Sequence, residues 1–243
     1  MPRLRVFAGP NGSGKSTIKD QIPSGLIGIY VNADEIEKAV RADGFLELHP
    51  FNVTSTPEEL QSFLVRHPLL LKAGLEDEAR LIGLSAQRID LSAVRMNSYY
   101  ASVVADFIRH RLMSQRVSFT FETVMSSEDK VRFMESAQAA GYRTYLYFVA
   151  TQSSDININR VASRVKEGGH SVPTNKIVER YTRSLRLLPS AIAAANRAFI
   201  FDNSYEKSVL LAEITEGTEL KFHMDHMPQW FMAAYLDRLT DAQ

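Results

Sequence analysis

Residues 9–16 read Gly9-Pro10-Asn11-Gly12-Ser13-Gly14-Lys15-Ser16, the G-x-x-x-x-G-K-S spacing of a phosphate-binding loop. Its flanks are those the chemistry requires. The apolar run 4–8 predicts a short buried strand before the loop, and 17–21 continues as a helix after it. Glycines let the backbone curl around an anion without Cβ clashes, while successive N–H groups and the helix N-terminus aim partial positive charge inward. Lys15 is placed to reach the β- and γ-phosphates and the Ser16 hydroxyl to ligate Mg²⁺. With Thr17, these residues form a candidate binding set for a nucleoside triphosphate. Strand, loop and helix in this order commit the chain to an α/β sheet with its ligand at the strands' carboxyl ends.

A length of 243 residues suits one large α/β domain or one domain carrying a sizeable insertion. The 45% apolar content is ample for a core, and no apolar run is long enough to span a membrane. A strand at the very start leaves no room for a signal peptide, and the lack of cysteine excludes disulfides, thiol nucleophiles and cysteine metal sites. A soluble cytoplasmic protein is expected. The zero net charge argues against a general nucleic-acid binder. The charge is uneven, however: Arg160, Arg164, Lys166, Lys176, Arg180, Arg183 and Arg186 face only Glu167 and Glu179. They read either as a solvated helix face or as an arginine set that closes over polyphosphate.

Strand and helix signals alternate along most of the chain, as in a parallel sheet with crossover helices. Strands are expected at 27–31, 117–121, 142–150 and 198–201, with helices at 34–42, 155–166 and 174–197. A further helix follows a cap at Ser126 or Ser127 and stops at Gly141. Segments 208–214 and 219–223 suggest an edge hairpin around Glu216-Gly217, and a last helix runs from Pro228 towards Leu239. The stretch 43–94 breaks the alternation. Thr56-Pro57-Glu58-Glu59 marks one clear helix start there, with capping-box spacing and proline at the first position, so the stretch is expected to be a helical insertion.

Asp34, Glu122 and Asn203 fall at the carboxyl ends of expected strands. Asp34 reads as the N-cap of the next helix or as a general base that takes the proton of an attacking hydroxyl. Glu122 reads as a strand-end residue, or as a group holding the Mg²⁺ shell or an acceptor hydroxyl. The pair His223 and His226 lacks a third positioned ligand, which disfavours a metal site. His170 either acts in a lid or pins its loop. Trp230, Phe231, Met232 and Tyr235 give the last helix a bulky face, for which core packing is the default.

Several of these motifs, in order, resemble zeta-toxin-like P-loop kinases. They are the GPNGSGKST loop, Asn32-Ala33-Asp34-Glu35-Ile36, Phe121-Glu122-Thr123, and Arg160-Val161-x-x-Arg164-Val165-x-x-Gly168-Gly169-His170-x-Val172-Pro173. Tyr181-x-Arg183-Ser184-Leu185 and Phe201-Asp202-Asn203-Ser204 extend the likeness to Ser204. The resemblance implies the fold of a nucleoside monophosphate kinase and an ATP- and Mg²⁺-dependent phosphotransferase. The best-known members phosphorylate a hydroxyl of UDP-N-acetylglucosamine and are silenced by an antitoxin. It also implies catalytic roles for Lys15, Asp34, Arg160 and Arg164, the last two in a lid spanning 155–186 whose return helix carries Arg180 and Arg183. Glu122, Thr123 and Arg183 are expected to face the acceptor, Glu122 also the metal, and Arg180 and Asn203 the nucleotide. The insertion departs from the compact family pattern; it could shape a different acceptor pocket, cover the site, or decorate the surface. Other acceptors (an antibiotic, a nucleotide cofactor, an RNA end) and an NTP-driven switch stay open as rival readings. Against the switch, no Walker B aspartate, Asn-Lys-x-Asp motif or ABC signature is present.

Overall fold

The structure, a computed structural model, describes residues 1–169 and 171–240; His170 lies outside them, and its expected role has no structural reading. β1 (Arg3–Ala8) leads through the glycine loop into α1 (Lys15–Lys19) and a second short helix, α2 (Ser24–Ile27). Then come β2 (Ile29–Val31), α3 (Ala33–Asp43), β3 (Phe45–Glu47), α4 (Pro57–Val65), α5 (Pro68–Ala73), α6 (Glu76–Ala79), β4 (Gly83–Ser85), β5 (Arg88–Asp90) and α7 (Ser98–Ser114). Alternation resumes with β6 (Phe119–Thr123), α8 (Asp129–Ala139), β7 (Arg143–Ala150), α9 (Ser154–Lys166), α10 (Thr174–Ala193) and β8 (Arg197–Asp202). β9 (Val209–Thr215), β10 (Glu219–Phe222) and α11 (Gln229–Phe231) follow, and a π turn at Met232–Leu236 leads into α12 (Asp237–Thr240). The contacts divide the chain into two compact units, Met1–Gly28 with Thr120 onward, and Ile29–Phe119.

In the first unit the strands run in the order β10-β9-β8-β7-β1-β6. β1 lies parallel to β7 with Val6 opposite Leu146, and β7 parallel to β8 with Phe148 opposite Ile200. β9 and β10 turn antiparallel at the edge. β1 is interior to this order, and Leu4, Val6, Phe7 and Ala8 are all fully buried. Such strands read as continuous apolar runs because helices or side chains cover both faces. On one face Phe7, Tyr147 and Phe199 stack at successive centroid distances of 4.7 and 5.0 Å, with Ile18 and Val149 beside them. On the last helical stretch Trp230, Phe231 and Tyr235 are buried, as core packing requires, and Met232 is partly exposed. The edge hairpin forms about Glu216 and Gly217, which both take positive φ (50° and 70°) as a type I′ turn demands. The strand expected at 27–31 is shorter: Ile27 ends α2, and Gly28 at φ 60° breaks the path before β2.

In the second unit, the 43–94 stretch carries the expected helices and also a small antiparallel sheet ordered β3-β5-β4, with Leu46 and Leu84 each opposite Ile89. Three-residue strands are too short to show an alternating pattern, so the sequence reading found only helix there. α7 is the long helix of this unit, and it buries Tyr100, Val103, Val104, Phe107, Ile108 and Leu112. Its many β-branched and aromatic residues hid it from the reading, although Asn97 caps it by accepting from the N–H groups of Tyr99 and Tyr100. The capping box at Thr56 is present. The Thr56 hydroxyl accepts from Glu59 N at 3.3 Å and the Glu59 carboxylate from Thr56 N at 3.0 Å. Thr56→Ala is therefore expected to destabilise this unit by about 1 kcal/mol, measured by urea unfolding. Among the described residues, no helix is long and apolar enough to cross a membrane.

Candidate active site

The loop between β1 and α1 is shaped by its glycines. Gly9, Gly12 and Gly14 all take positive φ (140°, 75° and 91°). Each also lies hard against a different element. A Cβ on Gly9 would stand 2.0 Å from Val149 O of β7, on Gly12 2.6 Å from Asn157 O of α9, and on Gly14 2.0 Å from Asn203 Nδ2. The loop is thus clamped on three sides, which holds its N–H groups in place.

Lys15 is buried, and its ammonium donates to the carbonyls of Gly9 (3.0 Å) and Pro10 (3.1 Å). The Glu122 carboxylate, at the end of β6, lies 3.7 Å away. A lysine held by three oxygens has a defined direction, and phosphate oxygens entering the loop can replace carbonyls as its acceptors. Ser13 is fully buried and its hydroxyl has no hydrogen-bond partner among the described residues, a condition that an oxyanion in the loop relieves. For the cation, the exposed Ser16 hydroxyl and the Glu122 carboxylate are hard oxygen donors. Mg²⁺ draws its other ligands from phosphate and water, so this donor set fits it.

The expected arginines divide among several tasks. Arg160 Nη1 donates to Asn203 O at 2.7 Å and its Nη2 to Tyr205 O at 3.3 Å. Arg180 Nη1 reaches the loop itself, donating to Asn11 Oδ1 at 3.3 Å. Arg183 lies 3.9 Å from Glu179 on its own helix. Arg164 is exposed near the end of α9, where Gly169 N donates to its carbonyl. Thr123 uses its hydroxyl to accept from Met125 N. Asn203 is buried, and its amide donates to Ser13 O at 2.8 Å. Asp202 accepts from Trp230 Nε1 at 3.0 Å and from Ser204 Oγ.

Sequence reasoning missed the group behind the loop. Thr151 Oγ1 lies 2.5 Å from Asn157 Oδ1, and Tyr181 OH donates to Thr151 O at 2.6 Å. Burial, with the nearby Asp202 charge, pushes the Tyr181 hydroxyl up to about 12, so it stays a neutral donor. Tyr181 stood in the Tyr181-x-Arg183-Ser184-Leu185 run with no role attached to it; for Thr151, its position directly after β7 was the usable hint.

Asp34 stands in the second unit, exposed in the first turn of α3. The N-cap is Asn32, whose Oδ1 accepts from Asp34 N at 2.8 Å. This corrects the capping alternative for Asp34 and leaves its carboxylate uncommitted to the helix end. Among the described residues no cluster of His, Cys, Asp or Glu is arranged to hold a metal unaided, and His223 instead pairs with Glu213 at 2.9 Å.

A mostly parallel sheet with a glycine loop after an interior strand and a lysine in the crook of that loop defines a P-loop α/β fold. The chain belongs to the zeta toxin family, whose model matches residues 85–213. The match includes Glu122, Arg160, Arg180 and Asn203, and it starts after the loop and Asp34. The structure is similar to the crystal structure of AvrRxo1-ORF1 with AvrRxo1-ORF2 and sulphate ions (TM-score 0.54, 16% identity, covering 92% of this chain and 61% of that one). It is also similar to a protein of the PezAT chromosomal toxin–antitoxin system of Streptococcus pneumoniae (TM-score 0.50, 15% identity, covering 99% and 87%). A Haemophilus influenzae protein described as uncharacterized is 28% identical over 72 residues, which cover 30% of this chain and 51% of that protein. The chain thus spans about half the length of this relative and 61% of the matched chain of the AvrRxo1-ORF1–AvrRxo1-ORF2 complex. At these identities the structural likeness speaks for the fold.

Proposed function

We propose that the chain is an ATP-dependent kinase that moves the γ-phosphate to a hydroxyl of a small molecule, a nucleotide sugar such as UDP-N-acetylglucosamine, as a zeta-type toxin of the cytoplasm. The observation that carries this reading is the buried Lys15, aimed by two loop carbonyls and Glu122 inside a glycine loop clamped on three sides. Membership of the zeta toxin family supports it, as does the fold shared with a chain of the AvrRxo1-ORF1–ORF2 complex, which has also been crystallised with ATP.

Phosphoryl transfer needs alignment and charge neutralisation more than covalent help. Lys15 offsets charge on the phosphate oxygens, and Arg180 reaches the loop at Asn11. Ser16 and Glu122 would hold Mg²⁺, which would supply positive charge to neutralise the phosphate oxygens. Asp34, exposed and released from capping, orients the incoming hydroxyl and takes its proton. An antitoxin-like protein is the proposed regulatory partner, in line with the toxin–antitoxin origin of the PezAT structure.

The test is transfer of labelled γ-phosphate from ATP with Mg²⁺ to UDP-N-acetylglucosamine. Asp34→Asn is expected to lower turnover on the order of a hundredfold or more while leaving ATP affinity nearly unchanged. Full activity in that variant would remove Asp34 from the base role. A second reading, a kinase for another hydroxyl, is favoured by the separate β3-β5-β4 sheet in the insertion. No product with UDP-N-acetylglucosamine, alongside intact ATP binding, would select it.

A further inference from the structure

The carboxamide of Asn203 lies 190 residues from Ser13 in sequence, yet it donates to the Ser13 carbonyl at 2.8 Å. The residue is 6% exposed, its own N–H donates to Ala150 O at 2.8 Å, and its carbonyl accepts from Arg160 at 2.7 Å. The Asn203 carboxamide and backbone N–H thus donate to main-chain carbonyls, and its carbonyl accepts from Arg160. The geometry points to a positioning residue of the phosphate loop, a role that rests on the nucleotide-binding reading above.

The reason lies in the peptide unit between Ser13 and Gly14. In a planar trans peptide the C=O and the following N–H point in opposite directions. Tying Ser13 O to Asn203 therefore turns the Gly14 N–H the other way, away from Asn203. Gly14 sits at φ 91° as the N-cap of α1, in the row of N–H groups that a phosphate loop offers its anion. Glycine is required there twice over, for the left-handed backbone and because a Cβ would stand 2.0 Å from Asn203 Nδ2. Without the tie, this peptide is free to flip, which would present a carbonyl oxygen to the phosphate. Arg160 extends the chain of contacts: by binding the carbonyls of both Asn203 and Tyr205 it fixes the turn that carries the carboxamide. We propose that the Arg160–Asn203–Ser13 contacts orient the Gly14 N–H toward phosphate, and that Asn203 serves the triphosphate end of the ligand and not its base.

The experiment compares Kd for Mg·ATP and for inorganic tripolyphosphate in wild type, Asn203→Ala and Arg160→Lys, with a thermal melt of each. Alanine removes the donor without changing charge; lysine keeps the charge but cannot span two carbonyls. Asn203→Ala is expected to weaken both ligands by the same factor, roughly tenfold or more. Arg160→Lys should weaken both by a smaller common factor. Folded Asn203→Ala binding tripolyphosphate like wild type would overturn the proposal, as would a loss confined to ATP, which would assign the residue to the base. A merely structural role would lower the melting temperature and leave both constants of the folded protein unchanged. If Asn203→Ala fails to fold, Arg160→Lys decides by the same criteria. Wild-type protein that binds neither ligand would instead sink the nucleotide reading, and this inference with it.

Discussion

Lys15→Ala is expected to cut phosphoryl transfer on the order of a hundredfold or more, the scale at which removing one preorganised charge acts on a transition state. The expectation follows from how the ammonium is held. It is 7% exposed and its acceptors are the Gly9 and Pro10 carbonyls, with the Glu122 carboxylate 3.7 Å away. Truncation takes the positive charge away from the phosphate and also deprives Glu122 of its ammonium neighbour. A carboxylate so placed then repels the triphosphate, so ATP affinity should fall along with turnover. Measured with ATP in the absence of Mg²⁺, where the carboxylate has no cation to hold, adding Glu122→Gln to Lys15→Ala should recover part of the affinity, and turnover with Mg²⁺ should not recover. Rapid-quench kinetics with labelled ATP separates the two effects. Unaltered turnover in Lys15→Ala would remove the donor site from this loop.

What could be read in the sequence was local. The strand–loop–helix order, the buried strands, the stop at Gly141, the capping box at Thr56 and the hairpin about Glu216 and Gly217 each follow from a few adjacent residues, and the structure has them all. What escaped reading depends on partners far away in the chain. The β3-β5-β4 sheet joins segments some forty residues apart through strands of three residues each, and no periodicity survives in so short a run. The Asn203 tie to Ser13 and the Tyr181 tie to Thr151 are single hydrogen bonds across the fold.

The basic run 160–186 shows the same limit. As a sequence it suggests one cationic surface or one polyphosphate clamp. The structure gives its members separate neighbours: Arg160 binds two carbonyls, Arg180 reaches Asn11, and Arg183 lies near Glu179. Charge count is visible in a sequence, whereas the direction of each guanidinium is settled by the turn or helix beside it. Arg160 in particular binds the turn that braces the loop, a contact that charge count alone does not reveal.

Gly9→Ala should lower stability by roughly 3 kcal/mol or more, because strained backbone and forced overpacking each cost about 1–3 kcal/mol. Gly9 sits at φ 140°, a region that side chains rarely adopt, and its Cβ would meet Val149 O at 2.0 Å and Val149 C at 3.0 Å. Neither neighbour can yield, since both are backbone of β7, which is held in register between β1 and β8. In a chain of this size the change corresponds to a drop in Tm of roughly 6–12 °C. Gly25→Ala provides the contrast. Gly25 lies in α2 with nothing within 4 Å of its Cβ position and no positive φ, so alanine there should raise stability by about 0.5–1 kcal/mol. Both variants replace one hydrogen with a methyl group in the same short stretch of chain, so opposite shifts in a thermal melt would isolate the clamp on the loop as the cause. Equal shifts would mean that the loop does not press on β7, and the argument that its N–H groups are preorganised would lose its footing.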